Sequence, residues 1–272
     1  MNNAALKPKK RSTLRLFVGS RYFTIRRYLL WLFGGRSFAR IRNEQLPFLH
    51  FSHSTPLLRK LKDVDMYWQY NKVANLQIAL KKVHNVVLLP GETFSYWKLI
   101  GKPTKGKGYK KGLVLQNGLV KEGTGGGLCQ LSNLLFWITL HTPLTVVERH
   151  RHSYDVFPDS NRSQPFGSGA TCFYNYGDLM IENNTEQKFQ LCLTLSETEL
   201  SACWRADYAP TVQYSVYEKE HFFRLEYWGG YTRHNVLCRK TFEANGALLD
   251  DEFLVENHAV TMYAPFLSEP AP

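Results

Sequence analysis

Residues 122–143 read EGTGGGLCQLSNLLFWITLHTP, and the fold turns on how this stretch is read. Leu131, Leu134, Leu135 and Ile138 recur at the spacing of one helical face, and Pro143 closes the segment. This is the pattern of a buried helix beginning near Leu128. Gly125, Gly126 and Gly127 precede it and can take positive φ, as a tight entry turn requires. Cys129 then falls in the first helical turn. A helix start presents unpaired N–H groups and a positive dipole end, so the thiolate is expected to be favoured, with a pKa below about 8.5. The N–H groups of the three glycines and Cys129 are expected to form an oxyanion hole, with Gln130 as a further donor. The glycines would leave space for a substrate backbone.

Downstream, TVVERHRHSYDVF (145–157) begins β-branched and reads as a strand. His150 and His152 stand at i and i+2, so on a strand they share a face, in reach of a thiol on a helix packed there. A thiol at a helix start followed by an imidazole on a strand is a recurrent solution for acyl transfer. Asp178 and Asp155 are both candidates to orient the imidazole. The opposing reading is a buried core cysteine behind an ordinary turn. Metal binding by His150 and His152 lacks a clear third ligand beyond Cys129 or Asp155, so no metal or cofactor is expected. The other cysteines, Cys172, Cys192, Cys203 and Cys238, read as structural. Five cysteines without a CxxC pair make neither a disulfide framework nor a zinc site, and point to a reducing compartment.

The same reading extends along the chain. Val73, Leu76, Leu80 and Val83 predict a helix over about 71–83. LPFLHFSHSTPLLRK (46–60) reads as irregular, and residues 101–112 as a flexible basic loop. Pro90-Gly91 marks a turn, with Phe94 and Trp97 in the core, and Asn117-Gly118 marks a hairpin. Residues 158–169 read as loop. ATCFYNYG (170–177), DLMIENN (178–184) and KFQLCLTLSE (188–197) read as strands. Residues 211–263 continue as strands, turning at Gly229-Gly230 and Asn245-Gly246. The fold class expected is α+β: a helical N-terminal part, then a β-rich domain holding the buried helix that starts at Gly-Gly-Gly-Leu-Cys.

Charge is unevenly placed. The formal net charge is +11, yet eleven of the 34 basic residues lie in 1–42, where there is no acidic residue. The remaining 23 basic residues balance all 23 acidic ones. A neutral body argues against nucleic acid as a partner. The longest apolar run, Tyr28 to Phe33, is far short of the roughly 20 residues a membrane span needs. Leu14, Phe17, Val18, Tyr22, Ile25, Leu29 and Leu32 recur at helical spacing among arginines, which suits an anionic membrane surface. The expected location is cytoplasmic, peripheral on the inner face of the membrane.

Several pieces resemble the VanW family: Pro90-Gly91-Glu92-Thr93-Phe94-Ser95, Gly108-Tyr109, Asn117-Gly118, Gly125 to Gln130 with Ser132, Glu148 to Ser153, and residues 170–185. They keep the family's order over about 88–194, with Arg151 where the family usually has proline. The division expected is an arm at 1–45, a VanW-like domain at 46–204 and a β-rich extension at 205–272 packed on the same domain. The resemblance implies a role in glycopeptide (vancomycin) resistance and cell-wall peptide metabolism. In larger exported proteins such domains are linked to L,D-transpeptidase activity, through a cysteine acyl-enzyme. Carried over, Cys129 is the nucleophile and His152 or His150 the base, with Asp178 the candidate for orienting it. Gly125, Gly126, Gly127, Gln130, Ser132 and Arg149 would contact a peptidoglycan stem peptide or precursor. The alternative is a non-catalytic accessory protein that binds a precursor or a partner at the membrane surface.

Overall fold

The computed structural model describes residues 12–42, 45–58, 65–116, 119–156 and 164–265. The chain begins with α1 (Thr13–Phe33), β1 (Ser37–Phe38), β2 (Arg40–Ile41) and β3 (Phe48–Pro56), followed by α2 (Met66–Val83). Then come β4 (Val86–Leu88), β5 (Glu92–Ser95), α3 (Tyr96–Ile100), β6 (Lys111–Gln116), β7 (Leu119–Thr124) and α4 (Cys129–Leu140). The rest is β8 (Thr145–Glu148), β9 (Tyr154–Asp155), β10 (Met180–Glu182), β11 (Phe189–Leu195), β12 (Glu199–Ala206), β13 (Val212–Leu225), β14 (Tyr231–Glu243) and β15 (Leu248–Thr261). The α+β class expected from the sequence is the class observed.

Among the described residues these strands form a β1-β5-β10-β8 sheet, a β2-β4-β11-β12-β3 sheet, a β13-β14-β15-β9 sheet and the β6-β7 hairpin. Helix α4 lies at the centre. Leu131, Leu134, Leu135 and Ile138 are all buried, as their spacing predicts, and the helix packs on β12, β3 and β8. Trp204 of β12 donates its indole N–H to Thr139 Oγ1 at 3.1 Å, satisfying a buried polar group at this interface. His141 ends the helix, stacks on Phe51 of β3 with ring centroids 3.9 Å apart, and bonds Tyr214 O of β13 through Nδ1 at 3.2 Å.

Helix α2 starts earlier than its apolar spacing suggests, because the Asp65 carboxylate accepts from Tyr67 N–H at 2.8 Å and caps it. Its buried face carries Leu76, Ala79 and Val83, but also Asn71 and Asn75. Asn75 Nδ2 donates to Lys110 O and Gly126 O, at 3.1 and 2.9 Å, and Asn71 Nδ2 donates to Lys111 O at 2.9 Å. A helix otherwise built for the core thus holds the glycine loop by the Asn75 amide and the start of β6 by the Asn71 amide.

Four local expectations change. Residues 48–56 form a nine-residue strand rather than an irregular connection. The basic loop contains a 3₁₀ turn at Lys105–Lys107, closed by Gly108 at φ 84°. β8 stops at Glu148, so His150 and His152 lie in the connection to β9 rather than on a strand. Residues 170–177 make no strand. Phe173 and Gly177 exchange N–H···O bonds of 2.9 and 3.1 Å around a tight turn that clasps α1. The turn residues Asn117-Gly118 and residues 158–163 of the loop at 158–169 lie outside the described residues. Even so, Gln116 pairs with Leu119 across the predicted hairpin.

Candidate functional site

Cys129 opens α4 as expected, and Leu128 fills the cap position without a side-chain bond. The buried Tyr96 hydroxyl holds this corner by donating to Leu128 O at 2.9 Å. Gly125 and Gly127 take φ of 80° and 90°. The space around the three glycines is filled by protein. A Cβ at Gly126 would lie 2.2 Å from the Gly112 carbonyl carbon, one at Gly127 2.2 Å from Lys72 Cγ, and one at Gly125 2.7 Å from Pro103 Cβ. The glycines therefore serve close packing of β6, α2 and the 101–104 segment on the loop. The room for a peptide backbone expected from the sequence is not at these Cα positions.

The oxyanion-hole donors also divide. Gly125 N–H bonds Lys110 O at 2.9 Å and Gly126 N–H bonds Gly123 O at 3.2 Å, so both are occupied. Among the described residues, the N–H groups of Gly127, Leu128 and Cys129 have no backbone acceptor, and that of Cys129 faces its own sulfur. Three consecutive N–H groups without a backbone acceptor lead into the thiol.

The Cys129 side chain is partly exposed, and its thiol contacts Cys172 O at 3.8 Å. Burial raises its pKa, and backbone hydrogen bonds offset this only in part. The lowered pKa expected from the helix dipole is thus not the resting state, since desolvation of the charged form outweighs the helix end. No hydrogen bond joins Cys129 to His150 or His152 among the described residues.

What brings thiol and imidazole into one neighbourhood is the segment Thr171–Phe173. Thr171 N–H donates to His150 O at 2.8 Å, Cys172 O meets the Cys129 thiol, and the Phe173 ring lies 5.6 Å from the His150 ring. His150 Nε2 bonds Glu148 Oε1 at 2.9 Å. Arg27 of α1 binds the same carboxylate oxygen, and also reaches Tyr176 O at 3.0 Å. Burial alone would raise the Glu148 carboxyl. The hydrogen bonds from His150 and Arg27, with the Arg27 charge, carry it net below the usual value. His152 is partly buried, and burial followed by the neighbouring Arg151 charge lowers its pKa, so it is neutral at pH 7.

The remaining candidates are engaged in structure. Asp178 is fully buried. It accepts from Ser95 Oγ at 2.5 Å and from the N–H groups of Trp97 and Leu179 at 2.9 Å, while burial pushes its carboxyl up to about 7. Among the described residues, no hydrogen bond joins it to either histidine. Asp155 pairs with Arg233 at 3.2 Å and with the Tyr263 hydroxyl at 2.9 Å. Gln130 donates to Thr55 Oγ1 and Pro56 O at 3.0 and 2.9 Å, pinning β3. Ser132 donates to Ala170 O at 2.6 Å. Arg149 binds Gly169 O at 2.9 Å, Gly167 O and Asn257 Oδ1, and covers the Phe136 ring at 4.4 Å. These contacts tie the strand and loops around Cys129 to its helix.

Sequence reasoning passed over three residues here. Glu148, not an aspartate, orients the imidazole, and its signal was the i, i+2 spacing of Glu148 and His150. Cys172, read as structural, lies beside Cys129, and burial, then the Cys129 and Asp178 charges, raises its thiol further. Arg27 carries no local signal, because its carboxylate partner lies 121 residues away.

A family model described as VanW like protein matches residues 71–205, which hold α2 from Asn71 onward, the glycine loop, Cys129 and His150. The vancomycin B-type resistance protein VanW of Enterococcus faecalis is 34% identical over 232 residues, 85% of this chain and 84% of that protein. The uncharacterized protein YoaR of Bacillus subtilis is 34% identical over 116 residues, 42% of this chain and 36% of that protein. No solved structure matches. With that identity across most of its length, the chain belongs to the VanW-like family.

Proposed function

We propose that this protein is a cysteine acyl-transferase acting on cell-wall stem peptides or their precursors, in the setting of glycopeptide resistance that the name of its Enterococcus faecalis relative carries. One observation carries the reading. A partly buried cysteine stands at the end of a Gly127–Cys129 run whose N–H groups have no backbone acceptor, and the Thr171–Phe173 segment joins it to an imidazole already held by Glu148.

In the reaction, Cys129 Sγ attacks a peptide carbonyl and its proton passes to His150. The carbonyl oxygen, now negative, takes bonds from the N–H groups of Gly127 to Cys129. Collapse expels the amine, which takes the proton from the imidazolium, and a thioester remains on Cys129. An acceptor amine or water then resolves it. The raised resting pKa fits a thiol that ionises only when substrate brings sulfur and imidazole within hydrogen-bonding reach, a contact that is often long in a free enzyme.

The test is acylation by a carbapenem or a stem-peptide thioester, with the adduct located by peptide mass spectrometry. The expected result is one adduct on Cys129, absent in Cys129→Ala. General alkylation is a poorer probe. Cys203 faces Cys192 across β11 and β12, and sharing one proton between them favours a thiolate on the pair, so iodoacetamide should label this pair first.

The raised Cys129 pKa and the missing sulfur–imidazole bond favour a second reading, a non-catalytic accessory protein that holds a precursor or partner. It predicts no acyl adduct, and full function of Cys129→Ser in a glycopeptide-resistance assay.

A further inference from the structure

Helix α1 is docked by one side and bare on the other. Arg27 is buried against Glu148 and Tyr176 O. The Tyr28 and Tyr174 hydroxyls meet at 2.7 Å, Asn175 Nδ2 reaches Thr24 O at 3.3 Å, and Lys98 Nζ reaches Trp31 O at 3.2 Å. These contacts fix the helix in rotation. The opposite face is apolar and exposed: Leu14 71%, Val18 56%, Tyr22 61%, Ile25 59%, Leu29 51% and Leu32 71%. An ordinary surface helix turns its apolar stripe inward, so this one is inverted. The stripe is bordered by exposed Arg15, Arg21 and Arg26, and among the described residues no carboxylate pairs with any of them. No described helix is long and apolar enough to cross a membrane.

From this geometry we infer that α1 lies flat on an anionic bilayer, with Leu14, Val18, Ile25, Leu29 and Leu32 entering the acyl boundary and the three arginines meeting lipid phosphates. Charge selects the lipid surface over a second copy of the chain. Residues 1–42 hold eleven basic and no acidic residues, so a two-fold contact through this face would bring arginine against arginine. An anionic surface attracts each of them within a Debye length. Nothing in this placement depends on acyl transfer at Cys129.

The test is co-sedimentation of the full chain with vesicles of phosphatidylglycerol or of phosphatidylcholine alone. Binding should be at least tenfold stronger to phosphatidylglycerol and weaken as salt rises. Ile25→Asp with Leu29→Asp should reduce it at least tenfold, and Arg15→Gln, Arg21→Gln and Arg26→Gln together should do the same. All these side chains are exposed, and an unchanged thermal midpoint would verify folding in each variant. Absence of binding to phosphatidylglycerol, equal binding to both lipids, or a dimer in light scattering that the Ile25→Asp, Leu29→Asp variant dissolves would overturn the inference. The Cys129 adduct, measured on the same variants without lipid, is expected to be unchanged.

Discussion

A methyl group at Gly126 would sit 2.2 Å from the backbone of Gly112, a contact no rotamer relieves. Gly126→Ala is therefore expected to destabilise the fold by about 1–3 kcal/mol, the usual cost of forcing atoms into a filled space, measured by urea unfolding. Gly246 is the control. It has φ 87° and open space around it, so Gly246→Ala costs only the backbone strain of about 1 kcal/mol. The glycine run was legible as a device at a helix start, but its purpose was not. Sequence cannot reveal that Gly112, Lys72 and Pro103 converge on it, because each comes from a different element. Glu148 teaches the reverse lesson. Its spacing from His150 was in plain view, yet Asp178 drew attention as a later acid, and that carboxylate serves Ser95, Trp97 and Leu179 instead.

Helix α4 was legible because its apolar residues recur at helical spacing, and Leu131, Leu134, Leu135 and Ile138 are buried as that spacing predicts, although from Leu134 to Leu140 the helix is buried all round. Strand β3 was not. It is half-exposed on both faces, so its nine residues show no alternation of period two. Residues 170–177 were misread as a strand for another reason. Their aromatic residues pack on α1, with Tyr176 and Phe23 centroids 5.8 Å apart, and no local signal reports a partner so distant in sequence. The end of α4 gives a pH prediction. Burial, and then the like charges of His53 and Arg239, hold His141 down at about 4, despite its bond to Tyr214 O. The unfolded chain takes up that proton near pH 6.5. Folding therefore loses stability as pH falls from about 6.5 toward 4. His141→Phe, which keeps the stacking on Phe51, should make this acid limb shallower in denaturant titrations from pH 7 to 4. An unchanged slope would assign the limb to other groups.

Across the molecule, distant parts of the chain meet around Cys129. The C-terminal strands reach the site through Asn257, which accepts from Arg149, while Arg239 holds the far end of α4 by donating to Leu140 O and Thr142 O at 3.1 and 2.7 Å. The N-terminal helix reaches it through Arg27 and Glu148. The α+β class and the helix carrying the thiol could be read from periodicity alone. The linkage of arm, site and C-terminal sheet could not, since it rests on ion pairs and amide bonds between residues about 100 or more positions apart. That linkage also makes the central claim sharp, because the imidazole is held by a single carboxylate. The most direct measurement is the rate of Cys129 acylation by a stem-peptide thioester at pH 7, in the native chain and in Glu148→Gln, with folding verified for both. The account predicts a loss of about 10²-fold or more, as for a general base whose orienting group is lost. Equal rates in the two proteins, or no acylation of the native chain, would contradict it.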